Sequence, residues 1–419
     1  MHKTYKWLVV AMLWFVCFFN YADRQAIFSV FPLLKAELGF SDYQLGVIGG
    51  AFMIVYALAG PLAGLAGDRF TRKTLILGGL VFWSVVTVFT SLCVNYWQLV
   101  LVRALEGLGE SFYFPAAIAL VSDYHGKDTR SRALSFHQSS VYAGTIAGGS
   151  VSGYMGEHYG WRSSFILFGV LGTVLALVLW GLLKEPARGA SEDGEVAETT
   201  AATIQETLNG IFQSRLVPVL IIVFVLANFV ASVFLTWMPS FLFNKFKMSL
   251  SLAGLQSTVY LQVASVAGVL LGGYLGDRLC RRYPGGRPYT QVVGLLGGTP
   301  FLFLTGWTLD VPVLVFAMTF FGLFKGFYDS NNWASLYDVV KPRWRSSALG
   351  LMNSIGWLGG SLAPVTIAWS SSQFGMSASI SSSSILYLAA GLLLLVSTRR
   401  YYRTLSQVNM PPTKLSQAG

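Results

Sequence analysis

The chain has 419 residues, 54% of them hydrophobic and 11% charged, with a formal net charge of +10 and a mean hydropathy of +0.57. Soluble domains carry roughly a quarter charged residues, so this composition excludes one. The basic excess does not indicate a nucleic-acid partner either, because Lys and Arg are segregated along the chain rather than gathered in one patch.

Apolar runs of about 20 residues, each long enough to cross a bilayer, recur along the chain. They predict spans near 7–33, 43–66, 74–93, 95–122, 131–155 and 162–184, then 216–244, 251–276, 289–309, 311–338, 346–372 and 377–398. The alternating pattern of a membrane β-barrel is absent. The expected fold is an all-α polytopic membrane protein with twelve transmembrane helices. Residues 1–184 form a first six-helix unit and 216–398 a second, with a linker at 185–215 and a tail at 399–419. The linker sets Glu192, Asp193, Glu195 and Glu198 among Gly, Ala, Ser and Thr, a composition that reads as solvated chain.

Most of the 29 Lys and Arg fall on one side of these spans, and only Lys35, Arg162, Lys245 and Lys247 fall on the other. That asymmetry follows the positive-inside rule and puts both termini in the cytoplasm. A bacterial inner (plasma) membrane is the expected location. Cys17, Cys93 and Cys280 show neither metal spacing nor a disulfide framework, and no cofactor is expected. The first apolar run lacks a small-residue cleavage site and reads as a retained helix, not a signal peptide.

The chain is also duplicated. Gly64-Leu65-Ala66-Gly67-Asp68-Arg69-Phe70-Thr71-Arg72-Lys73 returns as Gly273-Tyr274-Leu275-Gly276-Asp277-Arg278-Leu279-Cys280-Arg281-Arg282. Glycine, Gly-Asp-Arg and the closing basic pair keep their register. Ser122-Asp123 followed by Arg130-Ser131-Arg132-Ala133-Leu134 is echoed by Tyr337-Asp338 followed by Arg345-Ser346-Ser347-Ala348-Leu349.

An ionisable group at mid-bilayer costs a few kcal/mol, so the charges inside the spans mark candidate sites. Span one carries Asn20, Tyr21, Asp23 and Arg24, with Asn20, Asp23 and Arg24 on one helical face. Span four carries Arg103, Glu106 and Glu110 on one stripe, where both acids share Arg103 as the cation of their own helix. Span ten carries Lys325, Asp329, Asn331 and Asn332, and span seven Asn228 and Thr236. The plain reading of each pair is a structural tie between helices. Two acids and two bases divided between spans one and four favour function. One of Glu106 and Glu110 is then the expected proton carrier, because burial and a nearby cation pull its titration in opposite directions. His137 on span five joins the candidates for the cavity, against the plainer reading of a hydrogen-bonded structural histidine. Gly144, Gly148, Gly149 and Gly153 on the same span have close-packing spacing.

The Gly64–Lys73 stretch resembles the loop between helices 2 and 3 of the major facilitator superfamily, roughly Gly-x-Leu-x-Asp-Arg-x-Gly-Arg-Lys. Here Ala66 stands at the leucine position and Thr71 at the second glycine. The Gly273–Arg282 stretch resembles the loop between helices 8 and 9, and Arg103 through Gly109 the span-four Arg-x-x-x-Gly-x-Gly motif linked with proton transfer. Asn20-Tyr21-Ala22-Asp23-Arg24, Gly67–Lys73 and Arg103–Ser111 look like the spinster branch, whose members move lysophospholipids and sphingoid phosphates. The resemblance implies two pseudo-symmetric bundles, spans one, four, seven and ten around a central cavity, and a monomer.

On this reading Asp23, Arg24, Arg103, Glu106 and Glu110 serve proton coupling and gating. Asn20, Tyr21, His137, Asn228, Lys325, Asp329, Asn331 and Asn332 are the substrate-facing candidates. Asp68, Arg69, Arg72, Asp277 and Arg278 are a cytoplasmic latch. Lys325-Gly-Phe-Tyr-Asp329-Ser-Asn-Asn332 matches no spinster signature and suits a small organic anion. The expected function is proton-coupled symport of a small or amphiphilic organic anion, with lysolipid transport as the alternative. A membrane-embedded enzyme is disfavoured, since His-Glu-x-x-His, Gly-x-Ser-x-Gly and nucleotide-loop motifs are missing. A channel fits the duplicated, asymmetrically charged chain less well than alternating access does.

Overall fold

The computed structural model describes residues 3–186, 204–283, 285–341 and 344–408. The acidic stretch at 192–198 lies outside them. The described residues form helices and no strand. The first bundle comprises α1 (Lys3–Ser29), α2 (Phe31–Leu38), α3 (Asp42–Arg69), α4 (Arg72–Thr90), α5 (Tyr96–Ser111), α6 (Tyr113–Tyr124), α7 (Lys127–Tyr159) and α8 (Arg162–Leu182). After the short α9 (Ile204–Ile211), the second comprises α10 (Leu216–Lys245), α11 (Leu250–Cys280), α12 (Gly286–Trp307), α13 (Val311–Val339), α14 (Arg345–Ser361), α15 (Ala363–Phe374) and α16 (Met376–Val408).

Eight of these, α1, α3, α4, α8, α10, α11, α13 and α16, are each long and apolar enough to cross a membrane. The remaining crossings of the twelve are α5 with α6, α7, α12, and α14 with α15. Three spans expected as continuous are broken, each just before a proline. Pro32, Pro115 and Pro364 lie in the first turn of α2, α6 and α15. A proline lacks the N–H that would extend the preceding helix and its ring crowds the carbonyl one turn back. The linker also differs from the expected coil, since α9 forms within it and Gly210 packs against the Trp344 ring.

Local signals fix the ends of several helices. Ser41 makes a capping box with Gln44, and Thr71, Asn95 and Ser249 accept from backbone N–H groups of α4, α5 and α11. Glu185 adds a second cap to α4, accepting from the N–H groups of Arg72 at 3.0 Å and Lys73 at 2.7 Å. Such partners satisfy donors that have no acceptor within the helix. Leu177, Leu270, Leu309 and Trp97 are among many large apolar residues left exposed. On a protein of this type they face lipid and need no protein cover.

The start of α1 at Lys3 and the end of α16 at Val408 lie at one end of the rods, here the terminal face, and the opposite end is the far face. Close contacts between the bundles gather towards the far face. Gly149 and Gly153 of α7 meet Leu250 and Gly254 of α11 backbone to backbone, and Gly46 of α3 meets the Pro364 carbonyl. Glu157 accepts from Ser251 through its N–H at 2.8 Å and its hydroxyl at 2.5 Å. Gln25 donates to the Leu235 carbonyl at 3.0 Å, and Phe31 packs on Trp237 with ring centroids 5.7 Å apart. The spacing read from sequence on span five therefore serves two partners. Gly144 and Gly148 admit Phe18 and Ala22 of α1, and Gly149 and Gly153 admit the other bundle.

At the terminal face, buried His125 joins α1 to the α6–α7 turn. Its ring nitrogens contact the Lys6 carbonyl at 3.1 Å and the Thr129 hydroxyl at 3.0 Å. Burial holds its pKa below the ordinary 6.5, against the opposing bond to the Lys6 carbonyl and with a smaller contribution from the Lys6 charge. The unfolded chain therefore takes up this proton first as pH falls. The stability His125 contributes is complete above 6.5 and declines below it. A melting-temperature series from pH 7.5 to 5 is expected to show a shallower acid decline for His125→Gln than for the parent. Identical slopes would exclude this role.

Candidate functional site

In the first bundle, α1 and α5 bring Asn20, Asp23, Arg24, Arg103, Glu106 and Glu110 together, all buried and Arg103 and Glu110 at 0% exposure. Each base takes its own acid. Arg103 Nη1 pairs with Glu106, one turn along α5, and Arg24 Nε of α1 pairs with Glu110. The expected sharing of Arg103 by both acids is therefore replaced by a cross-helix pair, because the Arg24 guanidinium reaches the Glu110 end of the α5 stripe. Glu106 also accepts from the Thr90 hydroxyl at 3.0 Å.

Aromatic rings complete the enclosure. Arg24 lies over Tyr56 at 4.5 Å, Tyr21 at 4.6 Å, Phe52 at 5.1 Å and Trp357 at 5.7 Å. Arg103 lies over Phe52 at 4.8 Å. Phe52 thus borders both guanidiniums, and Trp357 reaches Arg24 from α14 in the other bundle. A desolvated cation–π contact is worth about 2 kcal/mol, which offsets part of the cost of burying these cations.

Pairing stops short of completion. Neither carboxyl oxygen of Asp23 has a hydrogen-bond partner among the described residues, nor do Glu110 Oε1, Arg24 Nη1, Arg103 Nε and Nη2, or Asn20 Nδ2. Buried polar atoms without partners cost about 1–3 kcal/mol each. A site that tolerates several of them has somewhere to place a proton or a ligand atom.

The second bundle presents a different site. Lys325 and Asp329 pair one turn apart on α13. They line a cavity of about 50 Å³ with Asn228, Phe224, Phe321 and Tyr387. Asn228 Nδ2 is buried without a partner among the described residues. This volume accepts a carboxylate-sized group rather than a whole metabolite. Asn331 is turned elsewhere, its amide donating to the Gly272 carbonyl at 2.9 Å and holding α13 on α11. Asn332 is buried and accepts from Tyr328 at 3.4 Å.

His137 is also fully buried. Its Nε2 meets the Tyr113 hydroxyl at 2.7 Å, which itself donates to the Leu13 carbonyl at 2.7 Å. The ring ties α7 to α6 and α1. Among the terminal-face residues, Arg72 pairs with Asp123. Arg287 bridges Asp277 at 3.0 Å and Asp338 at 2.7 Å. These pairs stay within their own bundles. Arg278 is exposed, and the side chains of Asp68 and Arg69 lie outside the described residues. Sequence reading missed Phe52, Tyr56, Trp357 and Arg287. A basic residue shortly after the second Gly-Asp-Arg was the available signal for Arg287, while the aromatic residues had none among so many.

Ion pairs lie inside both bundles of membrane helices, buried in the first and half-buried in the second, an arrangement common among membrane carriers. The family model described as Major Facilitator Superfamily matches residues 13–364 and 241–417. Protein spinster of Drosophila melanogaster is 30% identical over 360 residues, covering 82% of this chain and 58% of its own length. Protein spinster homolog 1 of Homo sapiens is 30% identical over 366 residues, 81% of this chain and 68% of its own. The chain thus spans less than two thirds of the Drosophila protein. "Probable anion transporter 4, chloroplastic" of Oryza sativa subsp. japonica is 29% identical over 376 residues, 85% of this chain and 62% of its own. The crystal structure of a bacterial homolog to the human lysosomal transporter Spinster, inward-facing and unoccupied, superposes with a TM-score of 0.86 at 21% identity, over 96% of this chain and 99% of that one. The chain belongs to the Major Facilitator Superfamily, in its spinster-like branch.

Proposed function

We propose that the protein is a proton-coupled carrier of an anionic organic substrate, working by alternating access. The observation that carries this reading is the division of labour between the bundles. The first holds two acid–base pairs and an unpaired Asp23, a set suited to taking up and releasing protons. The second holds one cation, Lys325, in a cavity walled by aromatic rings, a set suited to an anionic group on an organic body. Asp329 keeps Lys325 oriented until the substrate anion replaces it. The anion-transporter relative supports the charge of the cargo.

The terminal face is the cytoplasmic side on this reading, from the distribution of basic residues. Far-face contacts then close the outside, and the Asp68 and Asp277 loops act at the inner face. Rocking of one bundle against the other would expose the central site to each side in turn. A lysolipid substrate is the second reading, favoured by the spinster relatives and by the aromatic walls.

The test is a thermal-shift panel of sugar acids, carboxylates and lysolipids on the purified protein. A ligand at 100 times its dissociation constant stabilises the native state by about 2.7 kcal/mol. An anionic ligand is expected to raise the melting temperature of the parent and to lose most of that effect in Lys325→Ala. Unchanged affinity in Lys325→Ala would make the Lys325–Asp329 pair a structural tie.

A further inference from the structure

A second cavity, of about 280 Å³, opens at the far face where the bundles meet. Lys35 and Asp42 line it from the first bundle, and Ser240, Asn244, Lys245 and Ser377 from the second. Among the described residues the far side is poor in cations, with Lys35, Arg162, Lys245 and Lys247. Two of these meet in this one cavity.

Their surroundings leave a net positive site. Lys35 donates to Asp42 at 2.7 Å, so that pair is neutral. Lys245 has no carboxylate partner among the described residues. Its ammonium donates to the Gly306 carbonyl at 2.7 Å and rests over Phe241 at 4.9 Å. One of its three N–H bonds is accounted for in this way, and the group is held in place by the carbonyl and the ring. α16 begins at the same cavity, with Met376 and Ser377 in its wall and no acidic residue in its first turn. The first N–H groups of a helix lack acceptors within it and favour an anion. Ser240, 6% exposed, also lines the cavity, and its hydroxyl has no partner among the described residues.

We propose that this far-face cavity is a binding site for a small carboxylate or phosphate anion, held by Lys245, the start of α16 and the Ser240 hydroxyl. Lys35 supplies a second cation from the opposite bundle as it leaves Asp42. Because its walls belong to both bundles, an occupied site favours the closed far face. The site does not depend on Lys325 or on the central cargo.

Inorganic phosphate is the probe, titrated calorimetrically into the full chain in phospholipid-free micelles, with chloride holding ionic strength constant. The Lys325→Ala background removes the central cation. Phosphate is expected to bind in that background, to lose about tenfold in affinity on adding Lys245→Gln, and to lose severalfold on adding Lys35→Gln. Absence of phosphate binding in Lys325→Ala, or unchanged affinity after Lys245→Gln, would overturn the site. Since Lys245 also holds a helix end, loss in Lys245→Gln alone with full binding in Lys35→Gln counts as a folding effect and overturns it too. A repeat in phosphatidylglycerol nanodiscs separates the sources. Competition there identifies a lipid headgroup as the occupant, and unchanged affinity a soluble anion, each supporting the anion site.

Discussion

Gly254→Leu is expected to hold the carrier open at its far face and to cut net transport severalfold or more. A Cβ at Gly254 would stand 2.2 Å from the Gly149 carbonyl oxygen, and a Cβ at Gly149 would stand 2.8 Å from that of Gly254. Both obstacles are backbone, so no side chain can swing aside. The strain is relieved only by separating α7 from α11. Overpacking of this kind costs about 1–3 kcal/mol, and about 1.4 kcal/mol is a tenfold change in a two-state population. Uptake should fall by about fivefold or more, while cysteines introduced along the far half of α11 become more reactive from outside. Gly254→Ala should lie between. Wild-type uptake by Gly254→Leu would mean that this contact is not remade in each cycle.

Glu110→Gln is expected to abolish accumulation driven by a proton gradient and to leave substrate exchange in place. The substitution fixes a neutral group where the carrier must alternate, and exchange needs no net proton movement. The amide oxygen can still accept from Arg24 Nε, and Tyr56 and Tyr21 still cover the guanidinium. Removing one partner of a buried pair typically costs about 3–5 kcal/mol, so monodispersity of the variant is the necessary control. Glu106→Gln should be milder, because Glu106 is held by both Arg103 and Thr90. Accumulation at the parental level by Glu110→Gln would pass the carrier role to Asp23, whose oxygens have no partner among the described residues.

Much of this architecture was legible in the sequence, for physical reasons. A bilayer imposes a minimum apolar length, so spans announce themselves. A charge inside such a span is costly, so Arg24, Arg103, Glu110 and Lys325 stood out before any contact was known. The breaks at Pro32, Pro115 and Pro364 had a visible signal that the length argument overrode. So did α9, where Ile204, Leu208 and Ile211 recur at helical spacing. Partnership was harder to read. That Glu110 takes Arg24 rather than Arg103 depends on how α1 and α5 cross. That Trp357 covers Arg24 depends on how the bundles meet. The far-face cavity was hidden for the same reason, since Lys35 and Lys245 lie in different halves of the chain. Helical periodicity says which residues share a face, and only the tertiary arrangement says which faces share a site.

The central claim is that protonation of the Asp23–Glu110 cluster selects between two arrangements of the bundles. Its most direct test needs no substrate. Tyr159 at the end of α7 and Leu252 at the start of α11 are 67% and 41% exposed on opposite sides of the far-face seam. Spin labels on cysteines replacing them, with Cys280 changed to serine, report the seam by double electron–electron resonance. Between pH 8 and pH 5 the distance distribution of the parent is predicted to shift between a short and a long population. In Asp23→Asn/Glu110→Gln it is predicted to stay fixed across that range. A parental distribution that ignores pH, or a double variant that responds as the parent does, would contradict the account.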